Sequence, residues 1–183
     1  MASEARLPTL RPIERLNSLP PDEFAAALRP LFEAAGPLAA ALAAERPFRS
    51  YDELLDRATE VVEELPEAEQ VAIVNAHPRI GESADAVRAS SSLSYREQGY
   101  DAEAGLDREE VDRVYRELAA LNQAYEVRFG FRFVVFVAGR PKSAIVPIMR
   151  QRLANGRSEE LATALRDMVL IARDRLSRLM ANE

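Results

Sequence analysis

Phe131-Arg132-Phe133-Val134-Val135-Phe136-Val137 is the stretch on which the fold class turns. Its β-branched and aromatic residues give it the propensity of a buried strand. No second strand is evident to pair with it, and an unpaired strand leaves its backbone N–H and C=O groups unsatisfied. Pattern alone leaves that conflict open. The sequence on both sides of it is helical. Upstream, Asp107-Arg108-Glu109-Glu110 is a capping signal. Val111, Val114, Tyr115, Leu118, Leu121, Asn122, Tyr125 and Phe129 then recur at helical spacing until Gly130 stops the run. Downstream, Ser143 can cap a helix carrying Ile145, Ile148, Met149 and Leu153, closed by Asn155-Gly156. Ser158-Glu159-Glu160 opens a long last helix with Leu161, Leu165, Met168, Ala172, Leu176 and Leu179 as its apolar stripe.

The N-terminal half reads the same way. After Pro20-Pro21-Asp22, Phe24, Leu28, Leu31 and Phe32 share one helical face, which Gly36-Pro37 is expected to stop. A short Ala-rich helix then runs out before Pro47. Ser50-Tyr51-Asp52-Glu53 is a capping box ahead of Leu54, Leu55, Ala58, Val61, Val62 and Leu65. Pro66 suits the first position of the next helix, which should end near His77 because Pro78 disfavours helical dihedrals before it. Residues 79–93 are the least periodic and read as a long serine-rich loop, a length that in compact domains marks function or disorder. The expectation is one all-α domain of roughly seven or eight helices spanning residues 1–183, with 1–11 a flexible tail.

Composition narrows the chemistry. The chain has 183 residues, 48% apolar, with Lys plus Arg at 24 against Asp plus Glu at 30, a net charge of −6. That length supports a proper core, and the apolar share argues against disorder. The acidic balance argues against nucleic acid as a partner, since neutralising phosphates needs clustered Lys and Arg. No stretch approaches the roughly 20 apolar residues that span a bilayer. The first residues lack the apolar core of a secretory signal, and the last three are no peroxisomal address, so a cytoplasmic protein is expected. There is no Cys and one His. Thiolate metal sites, disulfides and a Cys nucleophile are excluded, and all imidazole chemistry falls on His77.

His77-Pro78-Arg79-Ile80-Gly81 is followed by Ser94-Tyr95-Arg96-Glu97-Gln98. A lone His is either a satisfied core or surface residue or, with an ordinary pKa near 6.5, a group that exchanges protons at neutral pH. Ser94-x-x-Glu97 is either a capping box or a hydroxyl and carboxylate held at a helix N-terminus. The 131–137 stretch is either core or a helix-free segment whose backbone can read an amide-rich heterocycle. Arg132 and Arg140 flank it and are either solvated or able to meet a carboxylate bidentately.

His77-Pro78-Arg79-Ile80-Gly81, Ser94-x-x-Glu97-Gln98, Gly105-Leu106-Asp107, Leu121-Asn122-x-x-Tyr125, Phe129-Gly130-Phe131-x-Phe133 and Arg152-Leu153 occur in this order. Each motif is weak alone, but the ordered set resembles the OHCU decarboxylase family (2-oxo-4-hydroxy-4-carboxy-5-ureidoimidazoline decarboxylase) of urate breakdown, from about Leu16 to Leu179. The resemblance implies an all-helical, usually dimeric protein with no metal or organic cofactor and a small-molecule substrate. It implies that residues 131–137 are a helical or irregular segment lining the site. It makes His77 the acid or base and Glu97 its catalytic partner. Ser94 and Gln98 would hold the substrate, Pro78 would shape the turn, and Phe131, Phe133 and Val135 would line the site. Arg140 is the nearest later candidate for a substrate-binding Arg. The chain departs from the family pattern at Arg79-Ile80, often Asp-Leu, and at Arg132, often Pro. Those departures bear on substrate range, so a related enzyme acting on another ureido or hydantoin compound is one alternative. A non-catalytic dimeric module is the other, against which the intact His77, Glu97 and Gln98 speak.

Overall fold

A computed structural model describes residues 9–33, 36–100 and 107–181. Among these there are ten α-helices and no strand. They are α1 (Ile13–Asn17), α2 (Pro21–Phe32), α3 (Gly36–Ala44), α4 (Tyr51–Glu64) and α5 (Glu67–Asn75), then α6 (Ala84–Ser90), α7 (Ser92–Glu97), α8 (Arg108–Phe129), α9 (Lys142–Arg152) and α10 (Arg157–Met180). No helix among the described residues is long and apolar enough to cross a membrane. Of the expected tail, residues 1–8 lie outside the described residues. Leu10 packs on the core and the Arg11 carbonyl accepts from Tyr51 Oη at 2.7 Å.

The last helix organises the molecule. α10 packs against α4, α2 and α5, while α3 bridges α2, α4 and α5, α8 pairs with α9, and α6 with α7. Its stripe Leu161, Leu165, Met168, Ala172, Leu176 and Leu179 is buried as helical periodicity requires. Two charged residues, Glu160 and Arg175, are buried on the same helix. Buried charges persist only when paired and hydrogen-bonded, so each marks a specific partner set.

Several helix ends differ from expectation by one to a few residues. Gly36 opens α3, and α2 ends earlier, at Phe32. Pro66 is the N-cap of α5, which starts one residue later than expected, at Glu67; Pro141 caps α9 and Gly156 caps α10, each two residues ahead of the serine expected there. Ser50 Oγ accepts from Glu53 N–H at 3.1 Å as the capping box requires. The Glu53 carboxylate, however, reaches back to Arg49 N–H rather than to that of Ser50. Ser50→Ala is therefore expected to cost about 1 kcal/mol in urea unfolding and to leave activity unchanged.

The stretch expected to be a long loop is mostly folded. Ser83 Oγ accepts from Ala86 N–H and starts α6; Ser91 Oγ accepts from Ser94 N–H at 3.1 Å and starts α7. Ser and Thr favour caps because their short side chains bond nearby backbone donors. The serines are thus punctuation between two short helices, and the cap of α7 is Ser91 rather than Ser94.

Residues 131–137 form neither helix nor strand, and side chains take the place of a sheet partner. Asn75 Oδ1 accepts from Arg132 N–H at 2.9 Å. Arg152 Nη1 donates to the Val134 carbonyl at 2.9 Å, and the Arg140 guanidinium donates to the carbonyls of Phe136 and Val137. Backbone groups that a lone strand would leave unpaired are satisfied this way. Phe131 and Phe133 meet Tyr125 edge-on, at centroid distances of 5.9 and 5.2 Å.

Candidate active site

The site begins where α5 stops. His77 N–H still donates to the Val74 carbonyl at 3.2 Å, but Pro78 cannot continue the helix. The turn that follows is tied down from three sides. Arg132 Nη1 donates to the His77 carbonyl at 2.9 Å, and Asn122 Nδ2 donates to the Ile80 carbonyl at 2.9 Å. The Gln98 amide spans the turn, donating to the Arg79 carbonyl and accepting from Gly81 N–H, both at 3.3 Å. Gly81 has φ +73°, and a Cβ there would lie 2.8 Å from Leu118 Cδ1, so the turn passes α8 too closely for any side chain. Arg79 leaves the site and forms a two-pronged pair with Glu126 of α8, at 2.5 and 2.9 Å.

Beside this turn lies a buried ionic cluster. Arg175 of α10 is 1% exposed. Its Nε and Nη2 donate to the two Glu97 carboxylate oxygens at 2.7 and 2.8 Å. Nη2 also lies 2.7 Å from Glu33 Oε1 and 3.0 Å from Ser94 Oγ, while Nη1 donates to the Leu31 carbonyl at 3.3 Å. Ser94 and Ser91 both donate to Glu33 Oε1, at 2.9 and 2.8 Å. Glu33 stands just past the end of α2 with φ +56°, a conformation non-glycine residues rarely adopt. Such backbone costs roughly 1–3 kcal/mol and survives where surrounding contacts over-determine it; here those contacts are Arg175, Ser91 and Ser94.

These neighbours set the charges. Burial by itself raises the Glu33 carboxyl. Arg175, the two serine hydroxyls and His77 outweigh it and hold Glu33 below the usual carboxylate range. His77 is pushed down to about 4, by burial first and by Arg175 second, with Glu33 pulling the other way. The imidazole is therefore neutral at pH 7. Its Nε2 is buried and has no hydrogen-bond partner within the protein.

The unfolded chain binds a proton at an ordinary imidazole near pH 6.5, whereas the folded chain resists it down to about pH 4. The unfolded state thus binds more protons in that window, and stability falls as pH drops through it. Because His77 is the chain's one His, urea unfolding at pH 7, 6 and 5 is expected to show this loss in the wild type. It should be reduced in His77→Gln.

Four elements meet around His77 to form a cleft. Its walls are His77, Pro78 and Ile80 from the turn, Ser94, Glu97 and Gln98 from α7, residues 133–139, and Ile171, Asp174 and Arg178 from α10. Of the residues singled out from sequence, His77, Pro78, Ser94, Glu97, Gln98, Phe133 and Val135 come together here. Phe131 stands apart, packed between Tyr125 and Phe129 at 1% exposure. Arg140 also stands apart, because its guanidinium is engaged by the carbonyls of its own turn. The cation on the cleft wall is instead Arg178, 2.8 Å from Asp174. Glu97 is bonded to Arg175, and the acidic side chain acting on His77 is Glu33. Neither Arg175 nor Glu33 is among the residues expected from the sequence. Arg175 had a signal: it falls in the buried register Met168, Ala172, Arg175, Leu179. Glu33 had none.

The family model for OHCU decarboxylase matches residues 17–177. The chain belongs to the OHCU decarboxylase family. It is 31% identical over 171 residues to the 2-oxo-4-hydroxy-4-carboxy-5-ureidoimidazoline decarboxylase of Haloferax volcanii, covering 93% of this chain and 97% of that protein. It is 30% identical over 167 residues to the protein of the same name from Halalkalicoccus jeotgali, covering 91% and 90%. Among solved structures, an OHCU decarboxylase crystallised in the presence of (S)-allantoin shares the fold with a TM-score of 0.61, at 22% identity over 79% of this chain and 90% of that one. The all-helical OHCU decarboxylase fold is thereby established for this chain.

Proposed function

We propose that the protein decarboxylates 2-oxo-4-hydroxy-4-carboxy-5-ureidoimidazoline to (S)-allantoin in urate breakdown, with His77 as the acid–base group. The observation that carries this reading is a neutral, buried imidazole whose Nε2 has no protein partner, on a cleft wall shared with Ser94, Glu97 and Gln98. An imidazole held neutral is ready to accept a proton at pH 7, and an unpartnered buried nitrogen wants a ligand donor.

The substrate bears a hydroxyl and a carboxylate on one ring carbon, next to a carbon in a C=N bond. As the bond to CO₂ breaks, its electron pair forms the C=C of an enol. The C=N pair moves onto the ring nitrogen, which takes a proton from water. His77 removes the enol hydroxyl proton as the carbonyl forms and returns it to the neighbouring carbon from one face. The ring's own C=N is the electron sink, so these residues need to supply only orientation and proton transfer. Glu97, locked on Arg175, has a fixed carboxylate edge for the substrate's N–H or O–H groups. Ser94 and Gln98 share that wall, although both already serve the protein, Ser94 on Glu33 and Gln98 on the 79–81 turn. A homodimer in the cytoplasm completes the reading.

The test generates the unstable substrate in place, from urate with urate oxidase and hydroxyisourate hydrolase, and follows the product by circular dichroism. Rapid appearance of an optically active signal on adding the protein is expected. Racemic product at the uncatalysed rate overturns the assignment. Sedimentation in the same buffer reads the dimer.

A further inference from the structure

The 133–139 wall of the cleft has no strand beside it, and a buried ionic chain holds it from behind. Arg152 of α9 is 7% exposed. Its Nη1 donates to the Val134 carbonyl at 2.9 Å and to Asp167 Oδ2 at 3.0 Å, and its Nε donates to Glu160 Oε2 at 2.9 Å. Glu160, fully buried, also accepts from Tyr125 Oη at 2.5 Å and Asn155 Nδ2 at 2.8 Å. The Phe136 backbone amide, in the next peptide along the wall, acts on the Asp167 carboxylate. Arg152, Asp167, Glu160 and Tyr125 do not themselves line the cleft.

Stability alone is a poor reason for such a chain. Burying ions is costly, and well-packed apolar residues of like volume often serve stability as well or better. A guanidinium offers direction instead. Its donors lie in one rigid plane. With Nε committed to Glu160 and Nη1 shared between Asp167 and Val134, that plane has one orientation and the Val134 carbonyl one place. Val135 follows immediately and is part of the cleft wall.

We propose that Arg152, braced by Glu160 and Asp167, is a positioning residue: it fixes the Val134 carbonyl, and with it the Val135 peptide groups that a ligand in the cleft meets. The proposal deepens the decarboxylase reading and rests on it for the nature of that ligand, a ring rich in amide donors and acceptors. Misplacing a wall that orients such a ring by a fraction of an ångström degrades binding and alignment together.

Asp167 is the safer residue to change, since truncating Arg152 strands Glu160 in the core. Asp167→Ala is expected to keep the helical spectrum and to lower kcat/KM roughly tenfold, chiefly through KM. Hydrogen exchange in the 131–140 peptide should quicken by a similar factor. Asp167→Asn keeps an oxygen for Arg152 and should stay within about threefold of wild type. Arg152→Lys, a point donor in place of a fork, should resemble Asp167→Ala. A merely structural contact would lower Tm and leave KM in place. Wild-type KM and unchanged exchange in Asp167→Ala overturn the proposal. If the wild type is inactive on the substrate generated in place, the decarboxylase reading fails by itself. The exchange arm then decides: faster exchange in Asp167→Ala but not in Asp167→Asn upholds the clamp, and equal exchange refutes it.

Discussion

His77→Ala is expected to retain its helical circular dichroism and to lose about 10²- to 10⁴-fold in turnover, the usual worth of a positioned acid–base group. With no Cys and one His in 183 residues, the cleft holds a single side chain whose ordinary pKa lies near neutrality. Burial and the neighbouring Arg175 then hold it neutral down to about pH 4, so turnover should stay level from pH 8 to 6 and fall as pH approaches 4. The fold does not depend on this imidazole. Its Nε2 contributes no hydrogen bond, and the turn is held through backbone groups by Arg132, Gln98 and Asn122. Removing the ring also removes a buried group that resists protonation, so the variant should tolerate mild acid better than wild type. A His77→Ala protein with full turnover sinks the catalytic assignment, whatever its stability.

Arg175→Met is the second large effect, and it falls on stability. Arg175 neutralises two carboxylates, Glu33 and Glu97, and meets Ser94 and the Leu31 carbonyl as well. Methionine fills much of the volume and answers none of these groups. Breaking a buried ion pair by removing one partner costs about 3–5 kcal/mol, because the other is left uncompensated in a poor solvent for charge. Urea unfolding at pH 7 should show a loss of that order. Arg175→Lys should recover only part of it, since an ammonium cannot span two carboxylates as a planar fork does. A second readout separates this from generic core damage. Arg175 repels the protonated imidazole and Glu33 attracts it, so in Arg175→Met the His77 pKa should rise. The single His gives a single imidazole signal to titrate by NMR, and an unmoved pKa would falsify the coupling.

The helices were legible because their signals are local. The α10 stripe and the Ser50 and Asp107 caps depend on residues three or four apart, and the structure places them as read. The serine-rich stretch before Ser94 reads as a loop although it folds, because Ser is equally at home in a loop and at an N-cap, and two short helices carry too few turns to show a period. The same ambiguity left Ser94 open between a cap and a site hydroxyl. One serine upstream, Ser91, takes that role and frees Ser94 to face the buried cluster. The 131–137 stretch has strand-like residues for a true reason, since it is non-helical and largely buried. What pattern could not reveal is that its backbone partners are side chains of α5 and α9 and its own Arg140.

The sequence by itself therefore determined the all-α class, the helix faces and the uniqueness of His77, and its ordered motifs pointed to the family. Only the tertiary structure decided what surrounds that imidazole. Arg175 and the Leu31 carbonyl it meets lie 144 residues apart in the chain, and no periodicity couples positions at that distance. A buried charge must find its counter-charges wherever packing brings them. Helical period says which face of a segment is buried, and the packing of α2, α7 and α10 chose Glu33, Ser94 and Glu97 as what that face meets.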